Sequence, residues 1–294
     1  MKIAIDDLKE ELTTHLNKTL APITKRPAKE TAEALLSWEP AREEFNAFTA
    51  SLDGLVDDLK GKKLLEIDSG YGLFLTVCIE NGIKAEGVEP ANQDTYKSTL
   101  KISKEVLKRA GFNSDVIKQI SAEDLSYKTN SFDLVVSLFT LEHVRNMEKV
   151  LKESVRVLKQ DGYLYFVIPN YGSFWESHYG IVWIPYLPKF LTSIYVRLWG
   201  KDPKFLGELQ LVNQLSLEKI LKNLPLTILD WGQESFKNRV VKLKFSDLST
   251  QGSVKKILKI LKRLHLIRPI CFIASLVKAQ TPIILLARKD KVYG

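Results

Sequence analysis

A glycine-rich turn between two short apolar strands is the feature that most constrains how this chain folds. The apolar run at residues 63–67 leads into Asp68-Ser-Gly-Tyr-Gly72, and a second short strand ends at Glu89. Glycine lets the backbone approach a ligand where a Cβ would clash, and the helix after the turn begins with unpaired N–H groups. A carboxylate at the end of the second strand can accept hydrogen bonds from both hydroxyls of a ribose. This pattern predicts a βαβ unit that binds a nucleotide.

The glycine spacing argues against a dinucleotide as the ligand. The dinucleotide fingerprint requires a third glycine three residues after the second, and Leu75 occupies that position here. A pyrophosphate at the start of the following helix is therefore not favoured.

The chain after residue 60 alternates between the patterns of strands and helices. Glycines at 82, 111 and 162 follow the three helical patterns, as residues that end helices do. This alternation predicts an α/β fold with right-handed crossovers and a mostly parallel sheet. The expected strands are 63–67, 84–88, 116–120, 132–138, 163–168, 226–231 and 282–288, and the expected helices include 72–81, 92–110 and 147–159.

A second motif-bearing region lies between residues 131 and 170. It contains Phe132-Asp-Leu-Val-Val-Ser-Leu138, then Leu141-Glu-His143, then Arg156-Val-Leu-Lys159 ahead of a glycine. Together with the glycine-rich turn, this region resembles class I S-adenosylmethionine-dependent methyltransferases over roughly residues 60–170, and partly resembles enzymes that methylate quinone precursors. The resemblance implies a Rossmann-like sheet whose last strand is antiparallel, S-adenosylmethionine as the cofactor, and methyl transfer as the activity.

The resemblance also implies which residues bind the cofactor. In this family the turn faces the methionine end of the cofactor, the acid after strand two binds the ribose, and the segment after strand three lies near the adenine. The residues assigned on this basis are Glu66, Asp68, Ser69, Gly70, Gly72, Glu89, Pro90, Ser121, Ala122, Glu123, Leu138 and Phe139.

Two positions depart from the family pattern. Asp68 stands where the first turn residue is usually glycine, and Ser121 stands where an acid usually meets the adenine amino group. Ser121 can still hydrogen-bond adenine, or Glu123 can take over that contact. These departures leave open a second function, that of a non-catalytic binding or scaffold protein that keeps the fold.

Three residues are candidates for catalysis, namely His143, Glu176 and His178. His178 follows strand five, where this fold opens its substrate cleft, and a histidine there can accept a proton near neutral pH. Glu176 can orient it or serve as the base itself, and the alternative is a histidine that only holds its loop. No metal is expected, because Phe139 occupies the position where the quinone-precursor enzymes have a glutamate that completes a metal site with the Glu-His pair. Packing and helix capping are the alternative roles for that pair.

An aromatic-rich segment follows strand five at residues 171–207. Such a segment suits a lid over an apolar or ring-shaped acceptor, but tryptophan and tyrosine would equally form a second small core. The candidate substrate contacts are Tyr171, Trp175, Tyr179 and Trp183.

The net charge of +8 is concentrated near the C-terminus, where residues 251–294 carry ten Lys/Arg and one Asp. Residues 252–268 form a basic amphipathic pattern that can lie on an anionic membrane surface, or can be an ordinary surface helix. Nucleic-acid binding is not favoured because no recognition motif accompanies the lysines.

The chain divides into six expected segments around one core. They are a helical cap (1–60), the cofactor-binding core (61–170), the aromatic lid (171–207), a core continuation (208–232), a basic helical insertion (233–280) and the last strand (281–290). The N-terminus does not resemble a signal peptide, and the two cysteines match no metal site, so we expect a cytoplasmic protein that can attach to the inner membrane face. The expected reaction is transfer of a methyl group, at oxygen, to a small-molecule, lipid-linked or saccharide-linked acceptor.

Overall fold

The computed structural model describes residues 4–24, 26–90, 97–242 and 259–291, in which helices and strands alternate. The α-helices are α1 Asp6–Lys18, α2 Ala21–Thr24, α3 Ala28–Leu35, α4 Trp38–Ser51, α5 Leu73–Glu80, α6 Lys97–Arg109, α7 Met147–Val157, α8 Lys189–Leu198, α9 Gln214–Leu221, α10 Gln233–Lys242 and α11 Ile267–Leu276. The strands are β1 Lys63–Ile67, β2 Lys84–Val88, β3 Ile117–Lys118, β4 Phe132–Leu138, β5 Leu158–Ile168, β6 Trp175–Glu176, β7 Ile181–Val182, β8 Leu226–Asp230 and β9 Ile283–Lys289. Short 3₁₀ turns lie at Ser114–Val116 and Pro203–Gly207.

Seven of the strands form one sheet in the order β3-β2-β1-β4-β5-β9-β8. Strands β1 to β5 pair in parallel, whereas β9 runs antiparallel to both β5 and β8. The central strands are apolar and buried, as expected of a parallel sheet that helices cover on both faces. The predicted Rossmann-like α/β fold, with an antiparallel last strand, is therefore confirmed.

A hydrophobic core lies on each face of this sheet. One core includes Val150 and Leu151 of α7 with Leu217 of α9, and the other includes Phe48 of α4 with Leu75 of α5. Burial of each such side chain contributes about 1.5–3 kcal/mol, so the two cores hold the helices firmly against the strands. This packing fixes the carboxyl ends of β1, β4 and β5 along one edge of the sheet.

The N-terminal helices form a third core against α5 and α6. Leu8 and Leu12 of α1 pack with Ile102 and Val106 of α6, and all four side chains are buried. Within the helical cap expected at 1–60, α3 and α4 are separated by a break at residues 36–37, where the backbone of Ser37 is extended. The second of them ends at residue 51.

The expectation that Gly162 ends a helix is wrong. Helix α7 ends at Val157, β5 begins at once with Leu158, and Gly162 lies inside that strand. A Cβ on Gly162 would come within 2.8 Å of the carbonyl oxygen of Asp133 on the neighbouring β4. The glycine is therefore required by the close approach of two strands. The third strand is also shorter than the expected 116–120, since the 3₁₀ turn includes Val116 and the strand ends at Lys118.

The aromatic segment after β5 folds around a small core of its own. It consists of the β6–β7 hairpin, α8 and the turn at Pro203–Gly207, and its buried residues include Tyr171, Tyr179 and Trp183. Leu20 and Ile23 of the N-terminal helices also pack against this core. The segment is thereby held against the helical cap, and its role as a lid stays a prediction.

Two predictions fall partly outside the described residues. The helix expected at 92–110 is described from Lys97 onward. Of the basic stretch at 252–268, only residues 259–268 are described, and 259–263 are helical.

Candidate functional site

The glycine-rich turn joins β1 to α5 at the carboxyl edge of the sheet. Asp68, Gly70 and Gly72 all have left-handed backbone conformations, with φ of 52°, 51° and 75°. Aspartate is one of the few side chains that tolerate this region, so Asp68 keeps the conformation for which glycine is the usual residue. A Cβ placed on Gly70 would meet no atom within 4 Å. The turn is therefore open at Gly70, where a ligand can approach the backbone.

Glu89 connects the end of β2 to this turn. Its Oε2 atom accepts a hydrogen bond from the backbone N–H of Gly70 at 3.0 Å, and the side chain is buried. Burial and the charge of Asp68 raise the pKa of Glu89 to about 9. Gly87 allows the close packing, because a Cβ there would lie 2.6 Å from Ser69 Oγ. The strand end and the turn thus form one rigid unit around the predicted ribose contact.

Within the described residues, no cation compensates three carboxyl groups beside the turn, those of Glu66, Asp68 and Glu89. Burial is the main cause of the raised pKa of each, which for Asp68 reaches about 7, and the described charges that act on them are all negative. Glu66 Oε2 and Asp68 Oδ1 are buried with no hydrogen-bond partner in the described part of the chain. Since buried unpaired polar groups are costly, this arrangement favours a ligand that brings positive charge and hydrogen-bond donors.

The loops after β3 and β4 hold the residues predicted near adenine. Ser121 Oγ lies 3.2 Å from Glu123 Oε2, and Glu123 Oε1 accepts a hydrogen bond from the backbone N–H of Asn146 at 2.9 Å. Glu123 is therefore already engaged by its own loop and the start of α7. Phe139 has a left-handed φ of 57° and is exposed, so an aromatic face is offered at the end of β4.

Four more of the predicted cofactor residues line the same edge. Ser69 and Ala122 are buried, Leu138 is half-buried at the end of β4, and Pro90 is half-buried directly after Glu89. Residues 91–96, which follow Pro90, lie outside the described part of the chain.

The insertion contributes a buried ion pair between Glu176 and His178. His178 Nδ1 lies 2.8 Å from Glu176 Oε1, and the Tyr171 hydroxyl is 3.3 Å from both of these atoms. Burial would lower the pKa of His178, but the charge and hydrogen bond of Glu176 outweigh it and raise that pKa. The pKa of Glu176 is lowered for the reciprocal reason, although burial opposes the shift. This pair fixes the ring of His178 and leaves Nε2 as the nitrogen that can accept a proton.

Glu142 and His143 lie next to this pair. The rings of His143 and His178 meet edge to face with centroids 5.5 Å apart. Burial, with the charge of His178, lowers the pKa of His143 to about 3, whereas burial raises the pKa of Glu142 to about 7. His143 is therefore neutral at physiological pH and cannot be charged to bind an anion.

The same three side chains have the donors for a divalent cation. One ligand atom each from Glu142, His143 and His178 lies within 4.8 Å of the others, and Glu142 Oε2 is buried without a partner. Two imidazoles and a carboxylate are a common ligand set for catalytic zinc. Phe139 lacks a donor, as the sequence indicates, but the fold brings His178 to the Glu-His pair in its place.

The site has two halves, one at the glycine-rich turn and one at the insertion, and they meet at Glu142. The charge of Glu142 raises the pKa of Asp68 at the turn and of His178 in the insertion. Sequence reasoning missed Arg26, whose guanidinium donates a hydrogen bond to the carbonyl oxygen of Ser177. It placed Phe205 in the aromatic segment but did not predict that its ring packs against both histidines. No local pattern marks Arg26, because it reaches the site from a distant segment, and the contacts of Phe205 depend on how the aromatic segment folds.

The predicted substrate contacts lie in the small core of the insertion. Tyr171, Tyr179 and Trp183 are buried, with the Trp183 indole donating to the carbonyl oxygen of Tyr171 at 3.2 Å. Trp175 is half-buried in β6. Of the four, Tyr171 reaches the ion pair with its hydroxyl and Tyr179 with its backbone N–H. Contact of any of them with an acceptor stays a prediction.

Residues 65–166 match the family model described as a methyltransferase domain. A 2-methyl-6-phytyl-1,4-hydroquinone methyltransferase of rice is 31% identical over 42% of this chain and 34% of its own length. A ubiquinone biosynthesis O-methyltransferase of Pelagibacter ubique is 27% identical over 58% of this chain and 68% of its own length. A ubiquinone/menaquinone C-methyltransferase of Idiomarina loihiensis is 34% identical over 35% of this chain and 41% of its own length. The chain thus spans about a third to two fifths of the length of the rice and Idiomarina relatives.

Solved structures show the same fold at low identity. A Haemonchus contortus phosphoethanolamine N-methyltransferase, solved with S-adenosylhomocysteine, is 17% identical with a TM-score of 0.50 and covers 84% of this chain and 53% of that chain. A Galdieria sulphuraria structure named for sarcosine dimethylglycine methyltransferase is 19% identical with a TM-score of 0.52, and the match covers 86% of this chain and 91% of that chain. The family match and this fold confirm that residues 65–166 resemble methyltransferase domains, as the sequence predicts.

Proposed function

Because residues 65–166 match the family model of a methyltransferase domain, we propose that this protein transfers a methyl group from S-adenosylmethionine to a hydroxyl oxygen of a small or lipid-linked acceptor. The observation that carries the proposal is the group of carboxyls at the turn, those of Glu66, Asp68 and Glu89, whose charged neighbours among the described residues are all acidic. S-adenosylmethionine supplies an electrophilic methyl group on a cationic sulfur, and its ammonium group is a second positive charge. The donors and charges missing from the turn are thus those that this cofactor has.

The residues around the turn divide the binding between them. Glu89, at the end of β2, accepts from the ribose hydroxyls, and Glu66 and Asp68 offer carboxylate oxygens to the positively charged end. Phe139 and Ser121 flank the adenine. Glu123 already accepts a hydrogen bond from the backbone N–H of Asn146. Loss of a charge-assisted hydrogen bond costs about 1.5–3 kcal/mol, so Glu89 is the residue whose neutral replacement should weaken binding most.

His178 is the proposed general base. Glu176 holds its Nδ1 atom at 2.8 Å, which leaves Nε2 to take the proton from the acceptor hydroxyl as the oxygen forms its bond to the methyl carbon. Positioning contributes more than proton transfer to a reaction whose leaving group is a neutral thioether. The base is therefore expected to affect the rate and its pH dependence more than it affects binding.

The acceptor is proposed by analogy with the named relatives. The rice relative is named for a hydroquinone that bears a phytyl chain, and the bacterial relatives are named for ubiquinone and menaquinone biosynthesis. We favour an acceptor with a hydroxyl on a ring and an apolar tail, since the aromatic insertion lies beside His178.

Calorimetric titration with S-adenosylmethionine at pH 7 tests the cofactor proposal. Because the pKa of Glu89 is raised to about 9, that carboxyl is protonated in the free protein and should release its proton when it accepts hydrogen bonds from the ribose hydroxyls of the cationic cofactor. We expect saturable binding whose heat varies with the ionisation enthalpy of the buffer. In Glu89→Gln the affinity should fall at least roughly tenfold and fewer protons should be released, because Glu66 and Asp68 remain.

Glu86→Gln is the matched control, since Glu86 lies on the same strand but faces Lys118 at 2.6 Å. That variant should bind like the wild type. An absence of binding at hundreds of micromolar cofactor would refute the enzyme proposal and support the scaffold alternative that Asp68 and Ser121 suggest.

A further inference from the structure

Exposed apolar side chains are concentrated in two segments of the molecule. Of the 22 large hydrophobic side chains that are exposed among the described residues, nine lie in residues 174–199 and eight in residues 260–277. Single exposed apolar residues are normal on a protein surface, but a concentration of this kind marks an interaction site.

Helix α8 presents one of these segments as a regular stripe. Phe190, Ile194 and Leu198 are 76%, 55% and 80% exposed and are spaced four residues apart, which places them on one face of the helix. Thr192 and Val196, on the opposite face, are buried in the core of the insertion. The stripe is therefore the outer face of a helix whose inner face is already satisfied.

Helix α11 and the turn before it present the second segment. Phe272, Ile273 and Leu276 are 65%, 58% and 66% exposed, while Cys271 and Ala274 face inward. The helical residues 259–263 continue the pattern, because Ile260 is also exposed. Like α8, α11 uses a few small or apolar residues for packing and leaves its larger ones outside.

The two segments are joined at the root of the insertion. The Tyr186 hydroxyl, just before α8, donates to the carbonyl oxygen of Val277 at the end of α11. Asn170 Nδ2 donates to the carbonyl oxygens of Lys278 and Gln280 at 2.8 and 2.7 Å. These contacts hold the residues before α8 against the end of α11, so the two exposed segments adjoin at that point. This surface, made of α8 and residues 259–277, is here called the apolar face.

The charge of the chain is concentrated at the same place. Residues 181–207 and 259–279 carry nine of the 43 basic side chains and one of the 35 acidic ones, which leaves 34 of each sign in the rest of the chain. The whole net charge of +8 therefore lies in these two segments. Two copies of such a surface would repel each other, whereas an anionic surface would attract it.

We propose that the apolar face docks on a membrane surface that contains anionic lipid. The exposed side chains of α8 and α11 would lie at the acyl boundary, and the flanking basic side chains would lie at the headgroups. Within the described residues no helix is long and apolar enough to cross a bilayer, so the attachment would be peripheral. The basic stretch predicted from the sequence at 252–268 overlaps this face at its C-terminal end, and the fold adds α8 to it.

Sedimentation of the full-length protein with vesicles tests the proposal. We expect binding to phosphatidylcholine vesicles that contain phosphatidylglycerol, weaker binding to phosphatidylcholine alone, and a decrease with added salt. The double variants Phe190→Ser/Leu198→Ser and Phe272→Ser/Leu276→Ser should each reduce vesicle binding roughly tenfold or more, since each removes two apolar side chains from the acyl boundary. All four positions are more than half exposed, so folding should not depend on them.

Leu215→Ser/Leu229→Ser is the matched control, because those leucines are 48% and 40% exposed but lie on α9 and β8. Equal vesicle binding by the wild type and both face variants would overturn the proposal. A wild-type dimer that the face variants dissociate, without vesicle binding, would instead assign the face to a second copy. Titration of S-adenosylmethionine into the same variants separates this proposal from the enzymatic one, because cofactor binding should be unchanged in all of them.

Discussion

The two halves of the site contain equally buried carboxyl groups in opposite electrostatic states. At the turn, Glu66 and Glu89 are surrounded by other acids, and their pKa values are raised. In the insertion, Glu176 is just as buried, but its pKa is lowered because His178 is paired with it. The contrast teaches that burial alone does not decide the charge of a carboxyl. At the turn, no described residue supplies a cation and a ligand can bring one, whereas the insertion already contains His178.

The two halves also differ in how they are built. The turn consists of residues 68–72 and a strand end that packs onto them, within one continuous βαβ unit. The half at the insertion, here called the acceptor half, is assembled from separate segments. They are Glu142 after β4, Tyr171 after β5, the β6–β7 hairpin and Arg26 from the N-terminal region. A change in the second half should therefore spread to more of the structure than a change in the first.

The largest expected effect comes from breaking the ion pair of the insertion. Glu176→Ala leaves the charge of His178 buried without a partner and removes the acceptor for the backbone N–H groups of His178 and Tyr179. Loss of one partner of a buried pair costs about 3–5 kcal/mol. Urea unfolding monitored by tryptophan fluorescence measures the free energy of unfolding. The stability that Glu176 contributes is present above its unfolded pKa and is lost as the pH falls, so the difference between variant and wild type should shrink in acid.

Glu176→Gln is the control for that variant, because it keeps the size and the hydrogen-bonding oxygen but removes the charge. It should cost clearly less than Glu176→Ala. A loss below about 1 kcal/mol for Glu176→Ala would contradict the paired state of His178, since it would fall within the range of exposed ion pairs.

Much of the cofactor half can be predicted from the sequence, because its signals are local. Strands β1, β2 and β4 have the predicted boundaries, and the residues of the turn lie next to one another in the chain. The exception in the core is Gly162, whose role depends on a contact with Asp133 that no local pattern reveals. The family resemblance, seen over roughly residues 60–170, includes the residues 65–166 that the domain model matches.

The acceptor half could be predicted only in part. His178 and Glu176 stand two residues apart, and their pairing follows from their position after β5. The approach of Glu142 and His143 to that pair depends on how the insertion folds back over β4, and Arg26 arrives from the helical cap. Contacts of this kind are set by tertiary packing, so neither spacing nor composition indicates them.

The second prediction concerns the rate of methyl transfer. With an acceptor in hand, His178→Gln should lower kcat roughly 100-fold, at the lower end of the range for general bases, and should leave cofactor affinity unchanged. The base works only when it is deprotonated, so the wild-type rate should rise with pH and level off above the raised pKa of His178. In Glu176→Gln that rise should move to lower pH, because burial then acts without the opposing charge.

A chelator provides the contrasting result. If kcat falls with a chelator and is restored by a divalent cation, then Glu142, His143 and His178 hold a metal, and the role of His178 as a base is wrong. Activity that is insensitive to chelation but lost in His178→Gln supports the base.

The smallest expected effect has the opposite sign and lies at the turn. Asp68→Asn should make the cofactor-free protein more stable by about 1–2 kcal/mol, because it removes one of the mutually repelling carboxyls and asparagine tolerates the left-handed φ of 52°. The folded pKa of Asp68 is raised to about 7. The folded state therefore binds more protons than the unfolded state between the folded and unfolded pKa values of Asp68. The contribution of Asp68 to stability falls as the pH rises through that window.

Urea unfolding at pH 5 and pH 8 measures this effect. The loss of stability between the two pH values should be smaller in Asp68→Asn than in the wild type, and Asp53→Asn, at an exposed position, is the inert control. Destabilisation by Asp68→Asn at pH 8 would show that this carboxylate already has a favourable partner in the free protein, and the difference between the two halves of the site would no longer hold.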